Sequence, residues 1–322
     1  MQGGKTVEDS KKLKITTTKL AAVPLAVVAV TAVLQLGVMF LGEMGFFTRL
    51  LSSETAVLLT TSFCQVAAYL FAVLFVRYVM GQDLVRIKFA PREGVNPVPV
   101  ALAAVGFIIA ASRFTAVFND TFFGFFDSGV EQDIFSKYNI FVIMITTVIS
   151  PAFFEELVFR GLILTNLLPH GRTFAIVVSG VIFGAIHGSL SQILFATLAG
   201  VVLGWVYVET GSLWCGIFIH FMNNLISVCE SAIISALPYR TAMKYVYIIE
   251  ITVLLIGVIS ALAAVSAIKR RKERATENGI FGITPVTFRG TESNMSIRDG
   301  ASAFFNPVMI VFLLYSFLPV FL

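Results

Sequence analysis

The stretch FFEELVFRGL, residues 153–162, sets two adjacent glutamates and an arginine among apolar side chains. On a helix, Glu156 and Arg160 are four apart, share a face and can pair. Glu155 points about 100° away from Glu156, which leaves its carboxylate to accept a proton. Two other apolar stretches carry further polar groups: FGAIHG holds His187, and LWCGIFIHFMNN holds His220, Asn223 and Asn224. His220 and Asn224 are again four apart and face one way, whereas Asn223 points elsewhere. Three helices would thus supply a carboxylate, two imidazoles and an amide.

Such a set suits activation of water. A carboxylate base takes a proton from water, which attacks a carbonyl; imidazole or amide donors stabilise the oxyanion, and the carboxylic acid returns the proton to the leaving amine. The same groups suit a metal, with Glu155, His187 and His220 as ligands of a zinc that polarises water. Spacing leaves both open. Two readings from other classes use the same residues: a proton relay in a transporter, since membrane Glu, Arg and His can pass protons, and a non-catalytic immunity or scaffold protein in which the Glu–Arg pair is only a brace. No HExxH zinc helix occurs. His170, in the turn PHGR, reads as interfacial, and Ser179 ahead of His187 lacks the preceding glycine of a serine–histidine membrane site.

The elements that position these groups are membrane helices. Of 322 residues, 57% are hydrophobic and 13% charged, against about 25% charged in a soluble domain. Mean hydropathy is +0.89. The composition is that of an all-α polytopic membrane protein in contact with a lipid bilayer. No basic block with interleaved aromatics points to nucleic acid, and oligomeric state is not legible. Cys64, Cys215 and Cys229 lie in apolar runs, and an odd number makes a poor disulfide framework.

Residues 1–19 form a polar, lysine-rich tail without a packing pattern. About eight spans follow within a membrane domain of residues 20–268: 20–42, 56–79, 98–118, 139–168, 173–188, 191–208, 213–237 and 245–268. The first is too long for a cleaved signal peptide and reads as a retained helix. The fourth is too long for one straight helix, and Pro151 predicts a kink or break near Ser150. Residues 269–300 read as a polar, flexible segment that opens on the basic run KRRKER. The apolar stretch 301–322, with Pro307 and Pro319, adds a ninth span, re-enters or lies in the interface. Basic residues of the tail, of the loop after the second span (Arg77, Arg86, Lys88, Arg92) and of KRRKER fall on one side if the spans alternate, which makes that side and the N-terminus cytoplasmic. The loop after the third span is acidic (Asp120, Asp127, Glu131, Asp133), as suits the other side. At 1.5 Å per residue from the cytoplasmic ends, Glu155 and His187 come out roughly 20 Å deep but His220 only about 10 Å.

Glu155-Glu156-x-x-x-Arg160, Phe183-x-x-x-His187 and His220-x-x-x-Asn224, in that order, resemble the motif series of the CPBP (Abi) family, the CAAX prenyl endopeptidase and bacteriocin-processing intramembrane proteases. The flanking EELVFRGLIL and TGSLWCGIFIHFMNN agree, and the resemblance covers roughly residues 140–237. It implies an eight-helix core and an intramembrane endopeptidase, described in the family both as a metalloprotease and as a glutamate-dependent protease. Glu155 would activate water, His187, His220 and Asn224 would hold the water and stabilise the oxyanion, and Glu156 with Arg160 would support the site. The implied substrate is a membrane-associated peptide or protein. The lean layout suits a bacterial plasma membrane.

Overall fold

The structure is a computed structural model that describes residues 2–46, 53–79, 81, 87–93, 95–124, 135, 138–277 and 297–321. Arg86, the acidic Asp127, Glu131 and Asp133, and residues 278–296 of the polar segment lie outside the described residues. Among those described there is no strand. The helices are α1 (Gln2–Glu43), α2 (Glu54–Leu74), α3 (Val98–Phe123), α4 (Ile140–His170), α5 (Arg172–Ala185), α6 (Leu190–Thr210), α7 (Leu213–Ala236), α8 (Tyr239–Glu277), α9 (Ile297–Phe304) and α10 (Pro307–Phe321). A backbone in hydrocarbon must satisfy its own hydrogen bonds, which makes helices the outcome for such apolar runs. The protein is an all-α polytopic membrane protein. Among the described residues, seven helices are long and apolar enough to span, and an eighth span is added if the bent pair α9–α10 is taken as one. Val33, Leu36 and Phe40 on α1 and Ile251, Leu255, Val258 and Leu262 on α8 face outward, as a lipid-contacting surface requires.

Small residues bring the central helices together. A Cβ on Gly180 of α5 would lie 2.8 Å from the Val201 nitrogen of α6, and one on Gly184 would lie 2.7 Å from the Ile193 carbonyl oxygen. Gly106 of α3 and Gly257 of α8 meet as closely, with 2.8 Å from the one's Cβ position to the other's Cα. Without a hydrophobic drive between helices in lipid, such backbone contact is what holds them. Around this centre, α1, α2, α4, α5, α6 and α10 share one apolar core, and α3, α6, α7 and α8 share another.

The connections after α2, α4 and α6 gather at one end of the bundle. Arg92 N–H donates to the Thr210 carbonyl (3.0 Å), and Leu213 and Trp214 N–H donate to the carbonyls of Lys88 (2.9 Å) and Phe89 (3.2 Å). Arg172 pairs with Glu209 at the same end. Gly211 caps α6 with φ 67°, where a Cβ would strike Arg92 Nε at 2.7 Å. Shared placement of these three loops is what alternating spans demand.

Several expectations are corrected. Residues 2–19 are not an unpatterned tail: α1 begins at Gln2, and Leu13 and Thr17 are buried. The expected span 173–188 is only the 14-residue α5, about 21 Å long against a hydrocarbon core of about 30 Å. Gly188, at φ 63°, turns the chain away after Ala185. No break occurs at Ser150–Pro151; α4 runs through as one candidate span and absorbs its excess length in wide π-helical turns at Met144–Ile149 and Leu157–Leu164. The basic run KRRKER continues α8, which extends to Glu277. In the 301–322 stretch the chain bends by 64° between α9 and α10. Asn306 makes the corner, donating to the Ala303 carbonyl (2.9 Å) and accepting from Met309 N–H (3.0 Å).

Candidate active site

Glu155 and Glu156 end the short α-helical segment Ser150–Glu156 of α4, and the π-helical turns that follow carry Arg160. Glu156 and Arg160 are sealed from the surface, and Arg160 Nη1 donates to Glu156 Oε1 at 2.8 Å. The guanidinium also donates through Nη2 to the Gly200 carbonyl of α6 (3.1 Å) and lies 4.3 Å over the ring of Phe183 on α5. One buried cation thus ties α4 to α5 and α6. Such a pair is costly to desolvate, and it is not fully satisfied: Arg160 Nε and Glu156 Oε2 are buried with no hydrogen-bond partner among the described residues. On its far side, α7 approaches through Gly216, where a Cβ would lie 2.7 Å from Glu156 Oε2.

His220 of α7 is buried against both glutamates. Its Nδ1 lies 3.2 Å from Glu156 Oε1, and its Nε2 lies 3.9 Å from Glu155 Oε2. Because the Arg160-paired carboxylate only accepts, Nδ1 carries a proton and the ring presents Nε2 toward Glu155. The mismatch in depth expected for His220 is absent: the imidazole sits level with both carboxylates.

His187 does not lie on a helix. It follows the end of α5 in the turn closed by His187 N–H to the Gly184 carbonyl (3.2 Å). Its Nδ1 donates to the Phe183 carbonyl at 2.8 Å. That commits Nδ1 to the backbone and leaves Nε2 as the ring nitrogen facing the cavity. Phe183 packs edge-on against both imidazoles, with centroids 5.1 Å from His187 and 5.8 Å from His220.

Glu155 is not the lone carboxylate that its spacing suggested. Tyr69 of α2 reaches it across the bundle, with Oη 3.2 Å from Glu155 Oε1, and Gln65 Nε2 donates to the same phenol at 3.3 Å. Since Gln65 occupies a lone pair of the phenol oxygen, the O–H points to the carboxylate.

Asn224 has a partner that explains a proline. Pro151 has no N–H for the carbonyl of Thr147 four residues earlier. Asn224 Nδ2 donates to that carbonyl at 3.0 Å, while its Oδ1 accepts from Asn223 Nδ2 at 3.1 Å. The side chain that the motif offers as an oxyanion donor also mends α4.

These groups line one cavity of about 530 Å³, bounded by Glu155, His187, His220, Asn223, Asn224 and Pro151 on one side and by Ser112, Phe195 and Ala199 on the other. Glu155, His187, His220 and Asn224 therefore converge as the motif reading requires, with Glu156 and Arg160 directly behind them. Sequence reasoning missed Tyr69 and Gln65, and it named Phe183 only as a motif residue without its contacts to Arg160 and both imidazoles. Gln65-x-x-x-Tyr69, a polar pair at helical spacing within a span, was the available signal. It also missed Arg113 of α3, which pairs with Glu250 and lies 3.4 Å from Glu230, both on other helices. Ser179 donates to the Ile176 carbonyl of its own helix and takes no part in the site.

The three candidate zinc ligands face the same cavity. Even so, among the described residues no three His, Cys, Asp or Glu side chains converge closely enough to hold an ion. His187 offers a metal only Nε2, since its Nδ1 is committed to the backbone. The donor set of the described residues does not form a closed cage.

Residues 137–226 match the family described as type II CAAX prenyl endopeptidase Rce1-like. The "Putative membrane peptidase YdiL" of Bacillus subtilis (strain 168) is 33% identical over 84 residues, covering 26% of this chain and 34% of that protein. The "Uncharacterized protein YpbD" of the same organism is 31% identical over 109 residues, covering 32% of this chain and 53% of that protein. The chain thus spans about a third and about half of these two relatives. No solved structure matches it.

Proposed function

We propose that the chain, whose residues 137–226 match the Rce1-like family, is an intramembrane endopeptidase that hydrolyses a peptide bond with water activated by Glu155. The observation that carries the proposal is the convergence of Glu155, His187 and His220 from α4, the α5–α6 turn and α7 on one cavity, with the Glu156–Arg160 pair behind them. Membrane charges of this cost mark functional sites.

In the proposed reaction, water lies between Glu155 Oε2 and His187 Nε2, which accepts one of its hydrogens. Glu155 takes the other proton as the oxygen bonds to the carbonyl carbon. His220 Nε2–H, when the ring carries its second proton, and the remaining N–H of the Asn223 and Asn224 amides face the oxyanion. As the tetrahedral carbon re-forms its carbonyl, the C–N bond breaks and the Glu155 proton passes to the leaving nitrogen. The products are a carboxylic acid and an amine, and Glu155 is again a carboxylate. Glu156 and Arg160 keep their own charges balanced and hold the His220 tautomer.

The substrate proposed is a membrane-associated peptide or protein, in a plasma membrane of bacterial type with the 87–93 end of the bundle in the cytoplasm. The basic loops and the Bacillus relatives support that placement. The test is cleavage of a quenched peptide library by the full chain in detergent, comparing wild type, Glu155→Ala and His187→Ala, with and without chelator. Loss of cleavage in both variants is the expected result. Cleavage that survives Glu155→Ala refutes the mechanism, and loss on chelation with recovery on zinc replaces it with a metal-assisted one. Substrate flux across vesicles, lost in Glu155→Gln without any cleaved peptide, replaces it with a carrier. An immunity phenotype intact in Glu155→Ala replaces it with a scaffold.

A further inference from the structure

Behind Glu155 lies a second cavity of about 350 Å³, between α1, α2 and α10, lined by Thr31, Gln35, Gln65, Tyr69 and Tyr315 together with apolar side chains. Among the described residues, only Glu155 and His187 line both this cavity and the one described above. The proposed base and the histidine beside it form the partition between two chambers.

The chambers differ in what they can hold. The second is walled by hydroxyl and amide groups on helices that otherwise face hydrocarbon, where unsatisfied polar groups cost several kcal/mol. Thr31 Oγ1 is sealed from the surface and has no hydrogen-bond partner among the described residues. A roomy site with several polar partners is what water occupies. Gln35 lies about two turns before the end of α1, and Gln65 about three turns after the start of α2. The polar lining therefore leads from Glu155 toward the α1–α2 connection, away from the end that holds residues 87–93.

Tyr69 stands where this lining meets the site. Gln65 donates to its oxygen, and its own O–H goes to Glu155 Oε1. That oxygen is held from the second chamber while Oε2 faces His220 in the first. We propose that the second cavity is the water chamber of the site, and that Tyr69 is the positioning residue that holds the Glu155 carboxylate at its mouth while peptide occupies the other chamber. The inference rests on the hydrolytic reading above.

Two measurements test it, one of which needs no turnover. In vesicles of the full chain, Gln35→Cys is compared with Leu36→Cys, its lipid-facing neighbour at 64% exposure, for reaction with a charged methanethiosulfonate; the unsubstituted chain gives the background of the native cysteines. Gln35→Cys is expected to react at least about tenfold faster, since the charged reagent does not partition into hydrocarbon. Equal or absent reaction overturns the water chamber. In the cleavage assay, Tyr69→Phe removes one O–H and keeps the ring. It is expected to lower kcat about 10–100-fold with KM unchanged, as loss of a side chain that orients a catalytic group does. An unchanged kcat, or a rise in KM instead, overturns the role of Tyr69. A reactive Gln35→Cys in a chain that cleaves no peptide leaves the chamber standing and removes the protease reading alone.

Discussion

Replacing Arg160 by methionine tests whether the buried pair is held together as described. The substitution keeps an unbranched side chain of similar reach and removes three things: the 2.8 Å bond to Glu156, the 3.1 Å bond to the Gly200 carbonyl, and the stacking over Phe183. Hydrogen bonds from a charged donor contribute about 1.5–3 kcal/mol, and a buried charge left without its partner brings the whole loss to about 3–5 kcal/mol. Glu156 is fully buried, so no solvent screens the loss. Arg160→Met should therefore lower unfolding free energy in mixed micelles by about 3–5 kcal/mol. Glu156→Gln combined with Arg160→Met leaves no orphaned charge and should recover at least about 1 kcal/mol of it. The assay is reversible denaturant unfolding of the full chain, followed by tryptophan fluorescence. A single-variant loss below about 1 kcal/mol, as for an exposed pair, refutes the reasoning. So does a double variant less stable than the single.

Other contacts give sharper local tests. Gly216→Ala drives a methyl to 2.7 Å from Glu156 Oε2; it should cost about 1–3 kcal/mol by overpacking and lower cleavage by displacing His220, read by thermal melting and by kcat. Gly184→Val places its Cβ 2.7 Å from a backbone carbonyl of α6 and should abolish the monodisperse peak in size-exclusion chromatography, because helix backbones cannot yield as side chains do. Asn224→Leu removes the donor to the Thr147 carbonyl and should cost about 0.5–1.5 kcal/mol, the net worth of one hydrogen bond at an exposed acceptor. Pro151→Ala, which supplies a backbone N–H to that carbonyl, should reduce the cost of Asn224→Leu, measured as a double-mutant cycle.

Glu155, Glu156, Arg160, His187 and His220 were legible because an ionisable group in a membrane span demands an explanation, and helical spacing alone paired Glu156 with Arg160. The Tyr69–Glu155 contact, 86 residues apart in the chain, was not. Neither Gln65 nor Tyr69 is charged, and nothing in one sequence says which face of α2 meets α4. Glu230 on α7 and Glu250 on α8 carry no spacing signal that joins them. Their shared partner Arg113 could be found only once α3, α7 and α8 were packed. The length of α5 was misjudged for another reason. Ile186, His187 and Gly188 extend the apolar run, but hydropathy is blind to the left-handed glycine that stops the helix. His220 was placed too shallow because a count of residues from one end assumes upright, straight helices.

The shortness of α5 reaches beyond the protein. At about 21 Å it falls roughly 9 Å short of the hydrocarbon core it lies in, and its outer face at Thr173 and Val177 is exposed. Lipid beside it must thin, or head groups must dip, to cover the difference, at a cost that grows with every ångström of mismatch. Acyl-chain length in the host bilayer thereby sets the strain that lipid and bundle must share beside α5: shorter chains relieve it, and longer chains deepen it.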